Sequence, residues 1–387
     1  MNYDFTTIVS RRNTNSAKWD VGKNELPMSL ADMDFRAAPE IVTAMQAKVN
    51  LGVFGYENIP EDYYQAVINW YQTQHHAQIK REWLLYANGV IPALSSLVRW
   101  ATNIGDNILV QAPVYDIFFH SIENNGRHTL SSDLAYDGNS YRIDWHDLEE
   151  KLAEPLTTMM ILCNPHNPVG KVWTRDELRK ILNLCTTYHV KLVSDEIHGD
   201  LAWGKTIYTP LFSLVKSGNE QIVTLVSPSK AFNVAALHAA TVIVPDENLR
   251  NQINRGLNND ELAEPNILSV PGTIAAYRDG KDWIAALQQQ LKANWLLAVN
   301  FIKDNIPELK ISSGRATYLM WLDVSHWTQN SAELAEIIRA KTGLILAPGT
   351  VYRGNGKYFL RLNYACPSQM LLDGLNRLKQ VLNPDKL

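Results

Sequence analysis

The run Ile222-Val223-Thr224-Leu225-Val226-Ser227-Pro228-Ser229-Lys230-Ala231-Phe232 decides the fold: a short apolar, β-branched strand pattern ends in hydroxyls and a lysine. A lone lysine after a strand is usually a surface residue. Four other segments end in the same manner. Asn88-Gly89-Val90, Pro113-Val114-Tyr115, Asn164 to Gly170 and Ser194-Asp195-Glu196-Ile197-His198 each follow a short apolar run. In a wound α/β sheet the carboxyl ends of the strands line one crevice, and ligands bind there. The five segments are therefore expected to converge on one site, bringing together an amine, a carboxylate, an amide, a phenol, and hydroxyls beside a glycine.

Outward from that run, apolar stretches alternate with helical patterns from about residue 83 to residue 245, as in a mostly parallel sheet covered on both faces. Strands are predicted at 83–86, 108–110, 159–162, 191–193, 222–226 and 241–244. Thr174 and Glu177 have capping-box spacing, so a helix is predicted just behind the Asn-Pro loop. Ile284, Leu287, Leu291, Trp295, Ala298 and Ile302 step by three or four residues, which predicts one long helix bridging two domains. Strand patterns at 318–324 and 358–364 and a helical pattern at 367–382 follow it. The expected fold class is α/β: a large domain at 46–282 with a mostly parallel, doubly wound sheet, and a smaller α+β domain at 283–387.

Composition bounds the rest. A chain of 387 residues with 46% hydrophobic and 20% charged residues is an ordinary globular protein, long enough for two domains. A net charge of −4 without a long basic run argues against nucleic acid as a partner, and Arg11-Arg12 and Lys80-Arg81 read as solvated surface charges. No apolar stretch reaches membrane-span length, and Met1 to Phe5 carries no secretory pattern. The 3 cysteines, Cys163, Cys185 and Cys366, fit neither a disulfide framework nor a zinc site. The expectation is a cytoplasmic protein with no metal, no membrane contact and a small-molecule partner. The chain has no GxGxxG fingerprint, which disfavours a nicotinamide enzyme.

The expected site suits pyridoxal 5'-phosphate (PLP), which needs a Schiff-base lysine and an acid facing its pyridine nitrogen. Lys230 and Asp195 supply the pair. Alone, Lys230 reads as a strand-end surface residue and Asp195 as a cap for the next segment; their polar surroundings favour the functional reading. Ser227 and Ser229 would donate to the phosphate, although each alone also suits a turn. Gly89 and Val90 open a predicted helix whose free N–H groups suit a phosphate, where a simple turn glycine is the plainer reading. His198 either orients Asp195, approaches the ring oxygen, or is a packed histidine. Arg361, in Phe359-Leu360-Arg361-Leu362, is expected opposite its apolar neighbours on an alternating strand, where its planar guanidinium matches a substrate carboxylate; an edge-strand surface arginine is the alternative.

Ala31-Asp32-Met33-Asp34-Phe35, Ala87 to Val90, Asn164 to Trp173, Ser194 to His198, Ser227 to Asn233 and Arg361 to Pro367 together resemble fold-type I PLP enzymes of the aminotransferase class I/II group, most of all the MalY/PatB branch of cystathionine β-lyases and other C–S lyases. The resemblance implies that Asn167 contacts the cofactor ring oxygen, that Tyr115 stacks on the ring as a catalytic-site aromatic, and that Tyr56 reaches the phosphate of a neighbouring subunit in a homodimer. It also implies that residues 1–45 fold back onto the small domain. Three departures stand out: Val169 replaces a usual threonine, and Tyr208 and the Tyr352-Arg353 pair fall in motifs near the substrate entrance. The implied activity is β-elimination of cystathionine, cysteine or a related S-substituted cysteine. Two alternatives stay open, an aminotransferase using the same residues and a regulatory protein that binds a transcription factor.

Overall fold

The structure, a computed structural model, describes residues 3–204, 206–216, 218 and 220–383. The outermost residues of the expected segments 1–45 and 283–387 therefore lie outside the described residues. Seven strands form one sheet in the spatial order Leu84–Ala87, Ala240–Ile243, Ile222–Val226, Lys191–Asp195, Thr157–Cys163, Asn107–Val110 and His128–Ser131. All neighbours pair parallel except Ala240–Ile243, which runs antiparallel to both of its partners.

Alternation along the strands supplies two buried faces. Ile108, Val110, Met159, Ile161, Val193, Val223 and Leu225 pack on helices Val90–Ala101, Ile117–Glu123 and Glu247–Asn259. Leu109, Met160, Leu162, Leu192 and Val226 face the opposite layer, which includes helices Glu61–Gln74, Arg175–Thr187 and Ser269–Asp279. The capping box forms as its spacing predicts: Thr174 accepts from the Glu177 N–H while the Glu177 carboxylate accepts from the Thr174 N–H at 2.7 Å. That fixes the helix behind the Asn-Pro loop.

The long helix spans Lys281–Asn305 and buries Trp283, Ile284, Leu287, Leu291, Ala298 and Ile302, with Trp295 half-buried. Beyond it lies a four-stranded antiparallel sheet in the order Lys310–Ile311, Leu319–Asp323, Phe359–Asn363 and Ala347–Pro348, backed by helices Ser331–Thr342 and Ser368–Leu382. The N-terminal segment joins both parts of the molecule. Leu26–Pro27 pairs parallel with Leu344–Ile345, whereas helix Pro39–Val49 packs on Ser269–Asp279 beside the large sheet. No helix among the described residues is long and apolar enough to cross a membrane.

One alternative from sequence, the surface arginine, is excluded here, and one expectation is corrected. All five residues of Phe359–Asn363 are buried, so Arg361 sits on no solvent face. The second side of this strand is covered by residues 28–32, with the Asn363 N–H donating to the Met28 carbonyl at 2.8 Å and its side chain to Leu30 and Asp32 carbonyls at 2.7 and 2.6 Å. Nor is Arg11 a solvated charge. It pairs with Asp32 at 2.7 Å and Asp34 at 3.3 Å, carboxylates too distant in sequence to be foreseen as its partners.

Candidate active site

A cavity of about 430 Å³ opens at the carboxyl ends of the parallel strands and brings most of the expected residues together. Gly89, Val90, Tyr115, Asn167, Asp195, His198, Ser227, Ser229 and Lys230 all line it. They arrive from five places, the ends of strands Leu84–Ala87, Asn107–Val110, Thr157–Cys163, Lys191–Asp195 and Ile222–Val226 or the segments that follow them. Asp195 closes Lys191–Asp195 and pairs in register with Cys163 and Leu225, so it lies in the floor between the Asn-Pro loop and the lysine loop.

Asp195 is 4% exposed and accepts one hydrogen bond, from the Ile197 N–H at 3.1 Å. Burial lifts its pKa to about 6, against which the charge of Lys230 works only weakly. A rise of that size corresponds to roughly 3 kcal/mol of penalty on the ionised form. No cation is in contact with it among the described residues. A carboxylate so placed is stabilised by a cationic ring nitrogen, which is the partner PLP would bring.

Lys230 donates to the Ala31 carbonyl at 2.7 Å. Its pKa is lowered to about 8, first by desolvation and then by the Arg361 charge, with Asp32 and Asp195 opposing. An amine that loses its proton this near neutrality can attack a carbonyl and accept a proton from carbon. His198 is 3% exposed, and burial together with the charges of Lys230 and Arg361 holds its pKa down to about 3. Its Nδ1 has no partner and it makes no hydrogen bond to Asp195, so the expectation that it orients Asp195 is not met among the described residues.

Gly89, Ser227 and Ser229, expected to meet a phosphate, form one corner of the cavity. Gly89 has φ +105, and a Cβ there would sit 3.3 Å from the Pro92 ring, so glycine alone leaves the backbone free to turn into helix Val90–Ala101. Val90, Ile91 and Pro92, the first residues of that helix, line the cavity, and a helix N-terminus leaves its first N–H groups without intrahelical partners, which suits an anion. Ser227 donates to the Ala239 carbonyl at 2.6 Å and lies 2.9 Å from the Ser229 hydroxyl. The orphaned His198 nitrogen, the cation-seeking Asp195 and this corner fit PLP.

Arg361 is 5% exposed and makes no ion pair among the described residues. Nη1 donates to Asn167 Oδ1 at 3.1 Å and Nη2 to the Ser29 carbonyl at 2.8 Å, while Nε has no partner. Its Cζ lies 5.0 Å from the centre of the Tyr352 ring. A buried guanidinium held by neutral acceptors is a standing site for a carboxylate.

Tyr56 is 99% exposed and does not line the cavity of its own chain. Tyr208 is not at the entrance as expected. It is 5% exposed, donates to the buried Glu196 carboxylate and belongs to a different cavity. Arg353 is tied to Glu123 at 2.8 Å rather than turned to the site. Val169 is buried core, and Gly170 at φ +65 leaves room for the backbone of Gly314 and Ala316. Sequence reasoning missed Ala31, Ile91, Pro92, Cys163, Ile197 and His238, all of which line the cavity. It also missed that the strap 29–35 supplies carbonyls to Arg361 and Lys230; the Asp32 to Phe35 motif was visible, but not what it touches.

Fold and constellation together are those of a fold-type I PLP-dependent enzyme. The family model for aminotransferase class I and II matches residues 20–378, and the chain belongs to that family. It is similar to cystathionine beta-lyase PatB of Bacillus subtilis (strain 168), 39% identical over 98% of this chain and 100% of that protein. Protein MalY of Escherichia coli (strain K12) is 34% identical over 96% of this chain and 97% of its own. Among solved structures, cystalysin from Treponema denticola, which contains a pyridoxal 5'-phosphate cofactor, superposes with a TM-score of 0.96 at 30% identity, covering 100% of both chains.

Proposed function

We propose that this chain is a PLP-dependent C–S lyase that cleaves the Cβ–S bond of cystathionine, cysteine or a related S-substituted cysteine, releasing a thiol, pyruvate and ammonia. The observation that carries the reading is the triangle of Lys230, Asp195 and Arg361, each short of the partner that substrate or cofactor would supply. The similarity to cystathionine beta-lyase PatB supports elimination over transamination.

Arg361 receives the substrate α-carboxylate through parallel donors and so fixes the orientation of Cα. Lys230 Nζ takes the Cα proton, since its depressed pKa leaves a useful fraction of free base near neutrality. Asp195 would hold a proton on the pyridine nitrogen of bound PLP. Bound PLP supplies the sink for the electron pair freed at Cα. Once Lys230 holds the Cα proton, the thiolate would leave Cβ with the Cβ–S bonding pair, and the resulting 2-aminoacrylate would hydrolyse to pyruvate and ammonia. Asn167 accepts from Arg361 and would also contact the ring oxygen of bound PLP, so that carboxylate binding and cofactor binding would share one amide.

Two finer points belong to the same reading. Tyr56, projecting fully from the chain in a stretch with exposed Leu51, Val53 and Phe54, suits a phosphate contact across a homodimer. The compartment is cytoplasmic, in keeping with three free buried cysteines.

The test is turnover of cystathionine and of S-methylcysteine without any keto acid. Pyruvate and thiol should form continuously and in equal amounts. A strict requirement for an added keto acid would identify an aminotransferase instead.

A further inference from the structure

A second cavity of about 270 Å³ abuts the first, and its walls include Arg11, Asp32, Asp34, Arg36 and Ala235. The two meet along the strap: Ala31 lines the first, Asp32 lines the second, and Ala235 lines both. Asp32 is close enough to Lys230 for its charge to support the proton on that lysine.

The charges of this region do not cancel. Arg11 pairs with Asp32 at 2.7 Å and Asp34 at 3.3 Å, and Lys18 pairs with Asp34 at 2.7 Å and Asp32 at 3.5 Å. Two cations and two carboxylates thus form a closed, neutral set. Trp19 Nε1 adds a donor to Asp34 at 2.7 Å, leaving that carboxylate no spare capacity for a new cation. Arg36 stands outside the set. It is exposed, and no hydrogen bond or ion pair engages its side chain among the described residues. Its backbone is nonetheless fixed, because Asn233 donates to the Phe35 carbonyl at 2.8 Å and Phe35 is buried.

We propose that Arg36 is a specificity-determining residue that selects S-substituted cysteines whose sulfur substituent ends in a carboxylate. The proposal rests on the C–S lyase reading. A substrate held between Arg361 and Lys230 lies against the strap, since those side chains donate to the Ser29 and Ala31 carbonyls. The second cavity opens at the next strap residue, so a substituent of several atoms that follows the strap arrives in the field of the uncompensated guanidinium. A neutral or shorter substituent gains nothing there.

The experiment compares two substrates of equal length, S-carboxypropyl-cysteine and its amide S-carbamoylpropyl-cysteine, with wild-type holoenzyme and the Arg36→Gln and Arg36→Lys variants. An exposed, solvent-screened pair supports a preference for the acid of about fivefold in kcat/KM at low ionic strength. That preference should lie in KM rather than kcat, shrink as salt screens the charge, fall toward unity in Arg36→Gln, and return largely in Arg36→Lys. Equal kcat/KM for both compounds in the wild type, or an acid preference that survives Arg36→Gln, would overturn the assignment and leave the lyase reading standing. Failure to release thiol from either compound and from S-methylcysteine would overturn the lyase reading, and the assignment with it.

Discussion

Arg361 donates to the side-chain oxygen of Asn167 at 3.1 Å, joining a strand of the C-terminal sheet to the Asn-Pro loop of the large sheet across 194 residues of sequence. The same guanidinium donates to Ser29, so three separate parts of the chain set the position of one carboxylate-binding group.

Arg361→Leu should therefore lower kcat/KM by about a hundredfold for every amino-acid substrate, the loss expected when a charge-assisted, two-point contact is removed. Arg361→Lys should recover only part of it, because an ammonium cannot offer two parallel donors. Asn167→Ala should raise KM for all substrates, and its effect should be much smaller in the Arg361→Leu background. Steady-state kinetics on a double-mutant cycle checks this; strictly additive losses would show that the two residues act separately.

Lys230 should carry the cofactor. Borohydride reduction followed by peptide mapping should place it on Lys230, and modification of any other lysine would refute the assignment. Lys230→Met should abolish turnover yet stabilise the cofactor-free protein at neutral pH. A lysine whose folded pKa is depressed to about 8 costs the folded state while it is protonated. That cost is full below about pH 8 and vanishes above the unfolded value of about 10.4. The stabilisation by Lys230→Met, about 3 kcal/mol at neutral pH, should fade across that window in denaturant melts.

Adjacent acids impose the opposite slope. Burial raises Asp195 to about 6, and raises Glu196 to about 7 despite hydrogen bonds from Tyr208, Ser194, the Leu211 N–H and Asn164. A raised acid contributes stability that is complete below its unfolded pKa and is lost as pH rises through the folded value. Cofactor-free protein should thus lose stability between about pH 4 and pH 7 from these two groups. Glu196→Gln should flatten the upper part of that decline, and an unaltered melting profile would count against it.

If Tyr56 acts across a dimer, mixing Tyr56→Phe chains with Lys230→Ala chains should produce hybrids in which one site holds both lesions and the other neither. Activity should then exceed the sum of the separate preparations. Hybrids demonstrated by mass and yet no more active than that sum would remove Tyr56 from the neighbouring site.

The alternation of apolar runs with amphipathic helices, the capping box at Thr174 and Glu177, and the polar clusters at strand ends were all local patterns, and local patterns are written in consecutive residues. They sufficed for the α/β architecture and for the convergence of Lys230, Asp195, Asn167 and Gly89, because a parallel sheet places every strand's carboxyl end on one edge. What decided the rest was proximity between residues far apart in the chain. Arg11 reads as a surface charge until Asp32 and Asp34 are brought to it, and Tyr208 reads as an entrance residue until its hydroxyl is found on Glu196. Burial of Arg361 on both sides of its strand, and its lack of an acidic partner, depend on the strap 28–32 crossing over it. Sequence determined which chemical groups the site holds; only the tertiary structure decided their charge states and partners, since desolvation and Coulomb interactions depend on distances that the order of residues does not contain.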